Sequence, residues 1–332
     1  MLTQAVPFRL AGTGSCLPRQ KIPSAHLDHL IGRDAGWTEE TFHIATRHWA
    51  DGDETSSSLG AEAARGALAD AGWEADSLDV VIGACGVMEQ PIPGTAALIH
   101  RRLGLGSSGI PAFDVNATCL SFLAALQTAL FGFLAGRWRR ALVVSADIAS
   151  AALDFTAPEA SAIFGDGAAA VALEADGPHR LAALRFATYS DGADACRLEA
   201  GGTRLRPHLD LEGFLARSRF AMDSRNTFKI TARYFPDFLS SLLADAGVAA
   251  HSIHTVVPHQ ASAPALEHLK RSFPGGHDKT VDIFRHHGNQ IATSLPTALH
   301  HAYRTGRLEP GSLSLLIGSS AGISLGGAVI RW

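Results

Sequence analysis

The chain has 332 residues, of which 46% are hydrophobic and 18% charged, a composition that predicts a globular protein with room for a large core or two fused half-domains. Net charge is -4, aromatics are 7%, and no basic stripe interleaved with aromatics occurs, which argues against a nucleic-acid partner. The four cysteines, Cys16, Cys85, Cys119 and Cys196, form no C-x-x-C pair. They predict neither a zinc site nor a disulfide framework, and they fit a reducing cytoplasm.

The start, Met1 to Ala5, lacks the charged-then-apolar order of a signal peptide. Further on, Leu68-Ala69-Asp70-Ala71-Gly72 reads as a helix ending at a glycine suited to a left-handed cap. A polar turn and a buried strand, Asp79-Val80-Val81-Ile82, follow. The G-x-G-x-x-G run Gly104 to Gly109 comes after a helical stretch (Ala96 to Arg102) and before a strand (Pro111-Ala112-Phe113). A dinucleotide site needs the opposite order, so this run is a loop. Next comes Phe113-Asp114-Val115-Asn116-Ala117-Thr118-Cys119, where a short strand meets a long apolar helix. Leu120 to Gly136 is too short and too polar to span a membrane and reads as a buried core helix. A thiol at a helix entrance has a chemical use, because unpaired amides there favour thiolate. The bland alternative is a buried cysteine acting as a small hydrophobe.

Residues 190–227 lack clean periodicity and read as an insertion over the surface, of the kind that forms lids. After it, Leu243-Ala244-Asp245-Ala246-Gly247 repeats the earlier helix end at an offset of 175 residues (243 − 68). The register continues: Ser77 with Ser252, Leu78 with Ile253, Val81 with Val256, Ile82 with Val257. A weaker second repeat relates Leu126 to Leu130 with Leu295 to Leu299, each followed by a strand (Ala141 to Ser145, Leu313 to Ile317). The chain is therefore expected to be two similar α/β halves of about 160 residues, near the usual domain size. They are divided as 1–175 and 176–332, with sheets covered by helices.

His259, in Val256-Val257-Pro258-His259-Gln260-Ala261-Ser262, stands at the carboxyl end of a second-half strand, where α/β folds favour ligand sites. Asn289, in His286-His287-Gly288-Asn289-Gln290, opens the helix that pairs with the Cys119 helix. Taken singly, a histidine is usually structural and an Asn after Gly is usually a cap or turn. The pairs His286-His287 and His300-His301 lack companions at metal spacing, so no metal is expected. Gly318-Ser319-Ser320-Ala321-Gly322 satisfies G-x-S-x-G, yet no Asp, Glu or His follows it to complete a hydrolase triad.

Together these segments resemble the Cys-His-Asn set of the thiolase-fold condensing enzymes, nearest to the ketoacyl-acyl-carrier-protein synthase III group. The likeness runs from Ala11-Gly12-Thr13-Gly14-Ser15 and Leu17-Pro18 through Phe164-Gly165-Asp166-Gly167-Ala168 and Pro258-His259-Gln260-Ala261. It ends in Gly327-Ala328-Val329-Ile330-Arg331-Trp332. It implies a thiolase-like fold in five αβαβα layers, and a homodimer with no membrane insertion. It also implies a ketosynthase-type acyltransferase of fatty acid or polyketide biosynthesis. Cys119 would carry the acyl group. His259 and Asn289 would support a decarboxylative Claisen condensation with a malonyl thioester, and the backbone amides of Cys119 and Ala321 would form an oxyanion hole. The alternative is acyl transfer to an oxygen or nitrogen of a small acceptor without decarboxylation. A silent partner subunit is a third reading, which the intact triad opposes.

No cofactor is implied beyond coenzyme A or carrier-protein phosphopantetheine as the acyl carrier, so acyl-CoA or acyl-carrier protein is the expected partner. Short basic runs such as Lys270-Arg271 are mostly solvated faces, though one could dock an acidic carrier. By the resemblance Trp37 matches a tryptophan that stacks on adenine, while the arginines expected after it and before Phe164-Gly165-Asp166-Gly167 align with Thr41 and Pro158. A carrier-bound or unusual acyl donor gains weight accordingly. Ser262 replaces an amide expected near the pantetheine arm, and Ser320-Ala321-Gly322 replaces three glycines. Ile92, beside Pro91 and Pro93, replaces an aromatic that limits the acyl pocket, so a pocket not restricted to acetyl is expected.

Overall fold

A computed structural model describes residues 5–332; the expectation about the leader at Met1 to Gln4 lies outside the described residues. Nine strands form one mixed sheet. They are β1 (Val6–Cys16), β2 (Val80–Gly83), β3 (Ala112–Asp114), β4 (Arg140–Asp147), β5 (Gly167–Ala175), β6 (His179–Thr188), β7 (Thr255–Pro258), β8 (Leu313–Ser320) and β9 (Ser324–Arg331). Their spatial order is β7-β8-β9-β6-β1-β5-β4-β2-β3. The principal helices are α1 (Ser56–Ala71), α2 (Thr95–Arg102), α3 (Ser121–Leu134), α4 (Ser224–Ala246), α5 (Ala263–Arg271) and α6 (Ser294–Arg304).

The sheet is two half-sheets joined at one seam, where Val6, Pro7 and Phe8 of β1 pair with Leu181, Arg180 and His179 of β6. On either side the pattern repeats. β4 pairs parallel to β2 as β8 does to β7, and β5 pairs antiparallel to β4 as β9 does to β8. The 175-residue register survives in three dimensions. Helices α1 and α4 end at Gly72 (φ 69°) and Gly247 (φ 65°), left-handed caps that a Cβ would strain. Each is followed by a 3-10 turn, Ala75–Ser77 or Ala250–Ser252, and then by β2 or β7.

Alternation along the strands sorts side chains into layers. Val80 and Ile82 face a central core with α3 and α6, whereas Val81 faces α1. In the second half Leu316 faces the same central core, and Leu315 and Ile317 face α4. The stack is thus outer helices, half-sheet, α3 with α6, half-sheet, outer helices: the expected five-layer thiolase-like arrangement. The long apolar helix is buried as expected, apart from its outer face at Phe131 and Leu134. Gly104 to Gly109 is a loop between α2 and β3. The 190–227 segment lies at the surface, exposing Leu198, Leu209, Leu211 and Leu215. Among the described residues no helix is long and apolar enough to cross a membrane.

Candidate active site

Cys119 stands in the turn from β3 to α3, two residues before the helix begins. Asn116 Oδ1 accepts from the Thr118 amide at 2.9 Å, and Ser121 Oγ accepts from the Ala117 amide at 2.9 Å. These bonds hold Thr118 at φ 53°, a left-handed value rare outside glycine. The entrance to α6 is built the same way. Asn289 Oδ1 accepts from the Ile291 amide at 2.8 Å, Ser294 Oγ accepts from the Gln290 amide at 2.8 Å, and Ile291 also lies at φ 53°. The matching pairs are therefore Asn116 with Asn289 and Cys119 with Ala292. The two entrances face each other across Gly86, where a Cβ would stand 2.5 Å from Ile291 Cγ2 and 3.2 Å from the Thr118 carbonyl.

The Asn289 turn is splinted by Phe164-Gly165-Asp166-Gly167. The Asn289 amide donates to Ile163 O (2.7 Å), the Gly165 amide donates to Asn289 O (3.0 Å), and Gln290 Nε2 donates to Asp166 O (2.9 Å). Gly165 backs directly onto the His287 carbonyl, and Gly167 onto the Gln290 side chain. The Asp166 carboxylate accepts from the Ala50 amide and from the Ser150 amide and hydroxyl. Behind this splint the fully buried Arg47 donates to Ala162 O and to Ser24 Oγ, and burial lowers its pKa to about 10.

His259 follows β7 directly. Its amide donates to Ile317 O at 2.8 Å, and its side chain is 5% exposed. A Cβ on Gly318 would stand 2.7 Å from His259 Cβ and 3.2 Å from Leu120 Cδ2, so His259 packs against β8 beside the Cys119 turn. Asn289 Nδ2 donates one hydrogen to Ala261 O at 3.2 Å, two residues past His259. A carboxamide nitrogen has two hydrogens, so a second remains for a ligand. The Ala321 amide lies close enough to the Cys119 sulfur to oppose part of the rise in its pKa. Of Ser320-Ala321-Gly322 only Gly322 has a left-handed φ (130°). Glycine is retained where the backbone needs it, and alanine is accommodated beside it.

Burial raises the Cys119 thiol well above its ordinary pKa, with smaller contributions from the nearby Cys196 and Asp147 and an opposing one from the Ala321 and Cys119 amides. This corrects the expectation of a helix-stabilised thiolate: the sulfur precedes α3, and desolvation outweighs the amides there. Burial alone lowers His259 to about 4, so its imidazole is neutral at physiological pH. Burial raises Asp147 to about 6. It is fully enclosed and accepts from the Gly86 and Val87 amides and from the Thr293 amide and hydroxyl, which ties the first-half loop to the α6 entrance.

The remaining expected residues fall elsewhere. Trp37 is half-buried, edge-on to Phe42, with the Arg33 guanidinium 5.0 Å over its ring. Ser262 caps α5 by accepting from the Ala265 amide at 3.3 Å, which leaves its hydroxyl proton and one lone pair for a ligand. Ile92 is 86% exposed, turned outward by the loop from Val87 to Gly94. Among the described residues no group of three His, Cys, Asp or Glu side chains is set to hold a metal ion. Sequence reasoning missed Asp147, the Asp166 to Gln290 splint and the closeness of Cys196 to Cys119. It also missed the spacing Asn, four residues, Ser, which is common to both helix entrances and marks their equivalence.

The family model for 3-oxoacyl-[acyl-carrier-protein (ACP)] synthase III matches residues 113–192, and that for its C-terminal part matches 243–332. The beta-ketoacyl-[acyl-carrier-protein] synthase III of Rhodospirillum rubrum is 35% identical over 331 residues, covering 97% of this chain and 98% of the relative. The solved structure of the 3-oxoacyl-(acyl carrier protein) synthase III of Pseudomonas aeruginosa PAO1 superposes with a TM-score of 0.87 at 30% identity, covering 98% of both chains. Xanthomonas campestris OleA shares the fold at 22% identity and a TM-score of 0.85 over 98% of both chains. Agreement of fold and sequence along nearly the full length makes this chain a member of the 3-oxoacyl-[acyl-carrier-protein] synthase III family of condensing enzymes.

Proposed function

We propose that the protein is an acyltransferase that loads an acyl group on Cys119 and condenses it with a malonyl thioester to give a 3-oxoacyl product. In the first step the Cys119 sulfur attacks the donor thioester carbonyl, the carrier thiol leaves, and the Cys119 proton goes with it. In the second, the malonyl carboxylate leaves as carbon dioxide. The enolate oxygen of the remaining thioester accepts hydrogen bonds from His259 and from the second Asn289 hydrogen. The enolate carbon attacks the acyl carbonyl, whose oxygen rests on the Cys119 and Ala321 amides. Collapse then releases the 3-oxoacyl thioester, and the Cys119 thiolate takes up one proton from solvent.

The observation that carries this reading is the pairing of two neutral donors with a half-buried thiol. A neutral imidazole and a carboxamide stabilise a developing oxyanion without a cationic acid near the carbanion that would quench it by protonation. The same reading divides the chain into a Cys119 half (1–175) and a His259 and Asn289 half (176–332), acting in the cytoplasm. It makes the protein a homodimer, in which the exposed Ile92 would meet the acyl pocket from across the subunit interface. Acyl-carrier protein is favoured over coenzyme A as donor, because Arg33 already covers one face of Trp37. Ser262 would offer the pantetheine arm a single hydroxyl donor.

Intact-mass measurement with a panel of acyl-CoA and acyl-carrier donors tests loading: wild type gains the acyl mass and Cys119→Ala does not. His259→Ala and Asn289→Ala load normally but lose about a hundredfold in malonyl decarboxylation, the cost of one oxyanion-type donor. Acyl transfer to a small acceptor with no carbon dioxide released would replace condensation by simple transfer.

A further inference from the structure

Asp147 closes β4, is fully buried, and divides its two carboxylate oxygens between the halves. Oδ1 accepts from the Gly86 and Val87 amides, both at 2.8 Å, on the loop after β2. Oδ2 accepts from the Thr293 amide and hydroxyl, both at 3.0 Å, at the entrance to α6. An ionised carboxylate only accepts, so four donors leave it fully partnered and hold it in one orientation. Gly86, held by its amide, is the residue wedged between the two helix entrances. A Cβ there would meet Ile291 Cγ2 on one side and the Thr118 carbonyl on the other. Ile291 in turn donates its amide to Asn289 Oδ1 at 2.8 Å. One side chain thus sets the gap between the Cys119 turn and the Asn289 turn.

The internal repeat shows that the fold unit does not itself require this carboxylate. Gly83 pairs with Val144 as Pro258 pairs with Ile317. Three residues on, Asp147 therefore corresponds to Ser320, each being the last residue of its strand. Gly86 corresponds to Ala261 (86 + 175), and both carbonyls accept from the matching asparagines, Asn116 Nδ2 at 3.5 Å and Asn289 Nδ2 at 3.2 Å. Ser320 Oγ donates instead to its neighbour, Ala321 O, at 2.9 Å, and the Ala261 amide to His259 O at 3.0 Å. The second copy makes the same turn without the clamp. In the first, burial raises the Asp147 pKa to about 6, so near neutrality its charge is held at a cost to stability. A side chain kept at such a cost, in one copy only and where the halves meet, serves the site rather than the fold.

We propose that Asp147 is a positioning residue for the condensation: by locking Gly86 to the α6 entrance it holds the Asn289 carboxamide in place relative to Cys119. The inference rests on the role proposed above for Asn289. The Cys119 turn has supports of its own, since Ser121 Oγ accepts from the Ala117 amide at 2.9 Å and donates to Thr118 O at 2.6 Å. The direct bonds to Thr293 lie on the other side, so loss of the clamp falls on the Asn289 turn. Acyl loading is then the control and malonyl decarboxylation the readout.

The test uses Asp147→Asn, which keeps the shape but turns an NH₂ group toward a backbone donor whichever way the amide faces. It should load acyl groups on Cys119 as wild type does. Its malonyl decarboxylation should fall by between about tenfold and a hundredfold, as expected when a functional group is displaced by a fraction of its reach. Combined with Asn289→Ala, it should lose no more than Asn289→Ala alone, because the clamp acts through that carboxamide; independent effects would multiply. Thr293→Val removes one of the four bonds and should show a smaller loss, again confined to decarboxylation, while Thr293→Ser keeps the hydroxyl and should restore it. Full decarboxylation in Asp147→Asn, equal losses in loading and decarboxylation, or multiplied losses in the double variant would overturn the inference. Should Asp147→Asn not fold, Thr293→Val decides: a loss confined to decarboxylation supports the clamp, and no loss or equal losses overturn it. Should Asn289→Ala itself decarboxylate normally, the proposed function fails instead.

Discussion

Desolvation favours the neutral form of both Cys119 and His259 in the resting site, although Cys119 keeps part of its surface open and His259 is buried. Decarboxylation assisted by a neutral His259 should therefore stay flat as pH falls through 6.5, and decline only toward about 4; a midpoint near 6.5 in the single-turnover rate would contradict this. Stability carries the same signature. The folded value is depressed below the ordinary 6.5, so His259 contributes stability above pH 6.5 that is lost as pH falls toward 4. Asp147 acts in the opposite sense. Its folded value of about 6 exceeds the ordinary 3.8, so its ionised form costs stability above pH 6, and the cost is relieved as pH falls from 6 to 3.8. Denaturant unfolding across this window should show a flatter pH slope below 6.5 in His259→Gln than in wild type. In the Ser320-Ala321-Gly322 turn, Ala321→Gly should leave loading unchanged. Gly322→Ala, which puts a side chain at φ 130°, should cost about 1–3 kcal/mol, measured by the same unfolding.

Helix ends and turns carry most of the site's geometry. The repeated helix, cap, turn and strand were legible because each is written in local chemistry: a glycine where φ must be positive, then a β-branched run that must be buried. The Cys119 and Asn289 turns were legible as helix entrances, but their internal bonds were not, since Asn and Ser are common in loops for many reasons. The splint from Asp166 to Gln290 could not be read at all, because it joins residues 124 positions apart whose side chains name no partner. Gly165 tests that splint. A Cβ there meets the His287 carbonyl, which is backbone and cannot rotate away. Gly165→Ala should cost about 1–3 kcal/mol, as overpacking does, and should lower decarboxylation more than acyl loading, because the strain falls on the Asn289 turn. Equal losses in both steps would show that the splint serves general stability only.

Over the whole molecule, α3 and α6 come from different halves yet share one core, with Val80 and Ile82 on one side and Val257 and Leu316 on the other. Neither half can keep this layer dry alone, and the β1–β6 seam adds main-chain pairing between them. Calorimetry should therefore show a single unfolding transition whose calorimetric and van't Hoff enthalpies agree; two resolved transitions would mean that the halves are independent. The layered architecture was foreseeable from the alternation of helices with apolar strands and from the internal repeat. Which face of each strand met which helix was not, since strands buried on both sides read as uniform apolar runs.

The paired helix entrances have one more consequence. The same hydrogen-bonded turn presents Cys119 with part of its surface open and Ala292 with none. Identical local scaffolds thus give a mouth in one copy and a plug in the other. What sets position 119 apart is its surroundings rather than the turn beneath, and a molecule with internal twofold likeness ends with one open copy of the turn per chain.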